Sequence, residues 1–133
     1  ALFDSIDTAS SCLRMFRGMM EEAVFNAPRM RRACAGGFLE ATDAAEYLVR
    51  KGLPFRRAHE TAALLVRDCI AAGQASLGER TLGELKQRSP LFEADIYAAL
   101  EPGACVQARK LPGGPAPGEV LRQIGVLRKT LEG

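Results

Sequence analysis

The 133 residues suffice for one domain with a real core and are too few for two comfortable ones. A 47% hydrophobic and 26% charged composition excludes disorder, and 6% aromatics without tryptophan lean toward helices packed through aliphatic side chains. The net charge of +2 is unpolarised, with nine basic and eight acidic residues in positions 1 to 60 and the same again afterwards, which argues against a nucleic-acid or anionic-lipid footprint.

In chain order, the spacing predicts a first helix from Leu2 to Phe25. Leu2, Ile6, Ala9, Leu13, Phe16, Met20 and Ala23 form an unbroken heptad seam, beside a second stripe of Cys12, Met15 and Met19. So broad an apolar face expects several neighbouring helices. Exposing Leu2, Ile6, Leu13, Phe16 and Met20 would forfeit on the order of 10 kcal/mol as an upper bound. Asn26 and Pro28 signal a break and a restart, giving a short helix from Pro28 to Ala35 that Gly36 and Gly37 stop. Thr42 or Asp43 can cap the next helix, with Glu46 at capping-box spacing, and Gly52 ends it with Pro54 opening its successor. That fourth helix carries Phe55, Ala58, Ala62, Leu65 and Cys69 on one stripe and stops at Gly73.

Thr81 and Glu84 make a capping box for a helix to Arg88, and Ser89-Pro90 starts another that turns Phe92, Ile96 and Leu100 inward until Pro102-Gly103 terminates it. LPGGPAPG, residues 111 to 118, reads as loop, and a last helix follows with Val120, Ile124, Leu127 and Leu131 as its buried stripe. No apolar run alternates as a strand would, so the fold class is all-α.

The chemistry-bearing residues do not assemble into a site on the page. His59 is the sole imidazole, and a structural role, such as a hydrogen bond to a helix end, fits it better than catalysis without a positioned nucleophile. Ser10 and Ser11 have no base at sensible spacing, Glu21 and Glu22 point about 100° apart, and the prolines after Gly113-Gly114 leave few amides to cradle an anion. Cys12, Cys34, Cys69 and Cys105 lack metal-ligand spacing and suit buried free thiols in a reducing cytoplasm. No apolar run reaches the length of a membrane span. Arg29, Arg31 and Arg32, and later Arg50, Lys51, Arg56 and Arg57, read as solvated helix charges.

Several stretches together resemble the C-terminal part of argininosuccinate lyases, of the fumarase and aspartase superfamily. They are LFDSIDTASSCLRMFRGMM, GFLEATDAAEYLVRKGLPFRRAHE, SPLFEADIYAAL and the later GGPAP, covering Leu2 to about Ile124. Pro115 departs from the threonine usual in the family after the two glycines. The resemblance implies a parent enzyme that splits argininosuccinate into arginine and fumarate by anti elimination, with a loop serine as base and no metal or organic cofactor. The family's serine loop, catalytic histidine and substrate-holding Tyr, Gln and Lys match no position in this sequence. No catalytic, cofactor or metal residue is therefore carried over.

On this reading residues 1–25 are the end of a central bundle helix, residues 26–133 a small helical C-terminal domain, and the true beginning of the protein is missing. The implied partners are the rest of the subunit and its sisters in a cytoplasmic homotetramer, with self-association of this piece through the first helix or its folding back. Nucleic acid and membrane are not expected partners. The alternative is a free-standing helical interaction or nucleic-acid module using the arginine groups.

Overall fold

The computed structural model describes residues 1–132. Its elements are α1 (Leu2–Glu21), α2 (Ala27–Ala33), α3 (Ala41–Arg50), α4 (Phe55–Ala71), a 3-10 turn (Leu77–Glu79), α5 (Leu82–Arg88), α6 (Ile96–Ala99), α7 (Pro102–Ala108) and α8 (Pro117–Glu132). No strand occurs among the described residues, and the fold is all-α. The chain divides into two compact units, Ala1–Arg31 and the part from Arg32 onward.

In the first unit α1 ends four residues short of the expected Phe25. Its cap is Glu22, and Asn26 takes over as the start of α2, its side-chain oxygen accepting from the Arg29 amide at 3.1 Å. Helix α2 is correspondingly shifted, Ala27–Ala33 in place of Pro28 to Ala35. No residue of α1 is buried.

The second unit is organised by the α3–α4 hairpin. Gly52, at φ +96°, and Gly73, at φ +70°, each take the left-handed position after a helix. After α3 the Leu53 amide donates to the Leu48 carbonyl at 3.0 Å and Gly52 to Val49 at 2.9 Å. After α4, Gln74 donates to Cys69 at 2.9 Å and Gly73 to Ile70 at 3.1 Å. Both ends therefore close with the same paired carbonyl caps.

Ala44, Ala45, Tyr47 and Leu48 of α3 meet Ala58, Ala62, Leu65 and Cys69 of α4 in one core with Leu77, Leu85, Phe92, Ile96 and Leu100. Four of the five stripe residues expected on α4 are thus inside. Phe55 is the exception, 66% exposed at the helix start. Phe92, Ile96 and Leu100 are buried as expected, yet only Ile96–Ala99 is helical there, residues 90 to 95 being turns and irregular backbone.

Three expectations fail for physical reasons. Helix α3 begins at Ala41 with Glu40 at its cap, so Thr42 and Asp43 lie inside the first turn, and neither Asp43 nor Glu46 builds a capping box. The preceding turn, with Phe38 at φ +56° and packed against the core, brings the helix start forward. Pro102 begins a helix as well as ending one: it sits in the first turn of α7, where its missing N–H costs nothing. Finally, α8 has no buried residue, and Val120, Ile124, Leu127 and Leu131 are all exposed. Its heptad spacing gives it an apolar face without supplying the surface that covers it.

Phe92→Ala should destabilise the folded body by about 3–5 kcal/mol, whereas Phe55→Ala should stay within about 0.5 kcal/mol. Thermal melts of the two variants check this; equal shifts would contradict the placement of the two rings.

Candidate functional site

Several charged residues of the helical body form cross-braces between elements distant in sequence. Asp43, buried on the core face of α3, accepts from Arg109 Nη1 at 2.8 Å and from Nη2 at 3.2 Å, across 66 residues of chain. The fork geometry fixes both groups. Each also suits its helix end, the carboxylate in the first turn of α3 and the guanidinium at the C-terminus of α7. Arg109 donates as well to the Cys105 carbonyl. The Asp43 hydrogen bond raises the Arg109 pKa, while burial and then the Asp43 charge push the Cys105 thiol up to about 11. Near neutral pH that sulfur stays protonated and is a poor nucleophile.

A second brace centres on Tyr47, whose ring stacks on Phe92 with centroids 5.9 Å apart and planes inclined by 7°. Its hydroxyl donates to Asp95 Oδ1 at 2.5 Å and accepts from the Glu93 amide at 3.2 Å. Lys51 closes the cluster, donating to Glu93 Oε2 at 2.5 Å and standing 5.3 Å over the Tyr47 ring. Burial, then the Asp95 bond, raises the Tyr47 pKa, and the same hydroxyl holds the Asp95 carboxyl below its ordinary range. A third brace is Glu40, whose buried carboxylate accepts from the Leu77 amide at 2.7 Å and from Ser76 Oγ at 2.8 Å.

The expected Thr81–Glu84 capping box is present in both directions. Glu84 also pairs with Arg80 at 2.8 Å, and Arg88 with Asp68 at 2.6 Å. These four side chains line a cleft of about 340 Å³ with Leu65 and Gln87. Each arginine there is already matched by a carboxylate.

The residues singled out from the sequence are not brought together. His59 is exposed on α4, its ring 6.2 Å from that of Phe55, and no described residue forms the helix-end hydrogen bond expected of it. Ser10 and Ser11 are exposed on α1, and Arg17 engages Glu21 at 2.8 Å. The Gly113 amide donates to Glu119 Oε1 at 3.0 Å and the Gly114 amide to the Leu111 carbonyl at 2.8 Å, so this loop is a closed turn. Of the cysteines, Cys12 and Cys34 are exposed rather than buried. Among the described residues no cluster of His, Cys, Asp and Glu could hold a metal ion.

Sequence reasoning missed the Asp43–Arg109 and Tyr47–Asp95 pairs. The signal for the first was present: Asp43 shares the face of Ala44, Tyr47 and Leu48, and a carboxylate on an apolar face needs a buried partner. Nothing local names Arg109 as that partner. Chemically, this arrangement holds helices in place; its buried acids and hydroxyls are engaged in the braces.

Arg109→Met should cost about 1–3 kcal/mol, because it leaves Asp43 buried without its donors. Arg109→Met combined with Asp43→Asn should cost less than the sum, and denaturant unfolding of the four proteins measures the coupling. Glu119 gives a pH test. Arg122, then the Gly113 amide, lowers its pKa from 4.5 to about 2, so its contribution to folding is complete above 4.5 and is lost as pH falls through about 2. An NMR titration of its carboxyl carbon should show the midpoint near 2, moving up toward 4.5 in Arg122→Met; a parent midpoint at 4.5 contradicts the pairing.

Comparison with known proteins identifies this framework. Residues 38–107, which hold α3 through most of α7, match the family model "Argininosuccinate lyase C-terminal". Among curated relatives, the argininosuccinate lyase of Pelotomaculum thermopropionicum is 49% identical over 131 residues, covering 98% of this chain and 28% of its own length. That of Moorella thermoacetica is 49% identical over 133 residues, covering 100% and 28%. That of Desulforamulus reducens is 46% identical over 132 residues, covering 99% and 28%. This chain thus spans a little over a quarter of the length of the relatives it matches. A match over this stretch, sustained along nearly every residue by these relatives, places the chain in the argininosuccinate lyase family, in its C-terminal region.

Proposed function

We propose that the chain serves as the C-terminal supporting part of a cytoplasmic argininosuccinate lyase, an enzyme of arginine biosynthesis that splits argininosuccinate into arginine and fumarate. Residues 1–25 are the end of a bundle helix and residues 26–133 a small helical domain that buttresses the bundle and helps shape the substrate cleft. The catalytic groups come from the rest of the subunit and from its sisters in a homotetramer. The reading rests on the end-to-end match to 28% of each lyase's length. Two features are in keeping with it: a body whose buried acids, Glu40 and Asp43, are engaged in braces, and an α1 whose seam residues Leu2, Ile6, Leu13, Phe16 and Met20 are each half or more exposed. Such a face calls for cover by other chains.

The isolated chain should release no fumarate from argininosuccinate, read by ultraviolet absorbance, and should self-associate through α1. In sedimentation velocity, Leu13→Asp should lower the mass of the sedimenting species. Turnover by the isolated chain would overturn the assignment of the chemistry elsewhere; unchanged mass in Leu13→Asp would remove the role of α1. Salt-dependent binding to DNA or RNA would favour the nucleic-acid alternative.

A further inference from the structure

Arg109 caps the end of α7 and is held in two directions at once. Its guanidinium forks onto Asp43 in the first turn of α3, at 2.8 and 3.2 Å, and its carbonyl accepts from the Ala116 amide at 3.3 Å. Gly114 lies against the same carbonyl so closely that a Cβ there would collide with that oxygen and come within 2.9 Å of the Leu111 carbonyl. Only glycine fits between them. Ala116 is buried, and its own carbonyl accepts from the Glu119 and Val120 amides at 2.9 and 3.0 Å, which starts α8. Glu119 then accepts from the Gly113 amide at 3.0 Å. Pro112, Pro115 and Pro117 fix φ along the stretch. The GGPAP segment is therefore a stiff clasp on Arg109 rather than a slack tether.

Past the clasp, little else holds α8. Among the described residues its side-chain hydrogen bonds and ion pairs stay within residues 113–132: Glu119 with Gly113, Arg122 with Glu119, and Thr130 with the Val126 carbonyl. Its apolar stripe emerges along the helix, Val120 and Ile124 being 41% and 40% exposed, Leu127 62% and Leu131 86%. A helix fixed at one end and free at the other takes its direction from its root, and here the root is one residue.

We propose that Arg109 is the pivot of a lever built into the helical body. Its side chain is locked to the first turn of α3, its carbonyl seats the loop that launches α8, and opening the lock at Asp43 lets α8 swing as a rigid helix. The Asp43–Arg109 fork thus decides where the apolar stripe of α8 points. The lever is a property of this chain and is independent of the reaction proposed above.

Pulsed dipolar distances between spin labels at Ala63→Cys on α4 and Arg128→Cys on α8 test it. A Cys12→Ser, Cys34→Ser background removes the exposed thiols, and excess unlabelled chain confines the reading to pairs within one chain. Position 128 lies about 18 Å along α8 from Ala116, so a swing of about 20° moves its label by about 6 Å. The parent should give one narrow distance. Asp43→Asn with Arg109→Met, which opens the fork without stranding a buried charge, should broaden or shift it by that amount. Gly114→Ala, which keeps the fork and dislodges the loop, should do the same; should it fail to fold, the double variant alone decides. Lys51→Met, which loosens the Tyr47 brace instead, should leave the distance unchanged. A broad distribution in the parent, an unmoved distance in a folded clasp variant, or an equal change in Lys51→Met would overturn the proposal.

Discussion

The helical body depends on the contact between α3 and α4. Ala44, Ala45, Ala58 and Ala62 are all buried there, and side chains this small let two helices approach closely enough for Leu48, Leu65 and Cys69 to fill the space beside them. Both helices then stop at a glycine that turns the chain back by the same carbonyl-capping pattern. The core residues that follow, Leu77, Leu85, Phe92, Ile96 and Leu100, join this pair. Phe92 stacks on Tyr47 from α3, Leu77 and Leu85 approach α4, and the long return from α7 is pinned to the first turn of α3 by Arg109.

These pins explain how short elements persist. Helices of seven residues or fewer, such as α5, α6 and α7, are not stable alone in water. Thr81 and Glu84 cap one, and Tyr97 donates its hydroxyl to the Arg80 carbonyl at 2.8 Å from another. The Asp43–Arg109 fork anchors the third. Burying the Asp43 carboxylate makes the geometry of its fork specific, because a misplaced α7 would strand it away from both water and its donors. In this body the buried polar groups define where helices stand.

Much of this was legible from local pattern. The Thr81–Glu84 box, the α4 stripe from Ala58 to Cys69, the inward set Phe92, Ile96 and Leu100, and the all-α class follow from spacing that a single helix imposes on itself. What escaped depends on distant parts of the chain. Asp43 has cap spacing to Glu46, but the half-buried guanidinium of Arg109, 66 residues away, claims it, and Glu40 is claimed by Ser76 and Leu77. Pro102 reads equally well as a terminator and as a first-turn residue, and only the sharp change of direction after Leu100 decides. The stripes of α1 and α8 were read correctly as apolar faces, yet periodicity cannot say what covers a face: both are exposed in this chain. The family resemblance rested on long ordered motifs and withstood these local errors, since it requires residue identity along the chain and not correct helix ends.

The account's central claim is that this chain contributes form and not reacting groups to a lyase. The most direct measurement is reconstitution. The Moorella thermoacetica relative, expressed without the C-terminal stretch that this chain matches, is titrated with the chain while fumarate release from argininosuccinate is followed. The account predicts that neither piece turns over alone and that activity appears on mixing and saturates as the two associate. Full activity of the truncated enzyme without the chain, or turnover by the chain by itself, would contradict it.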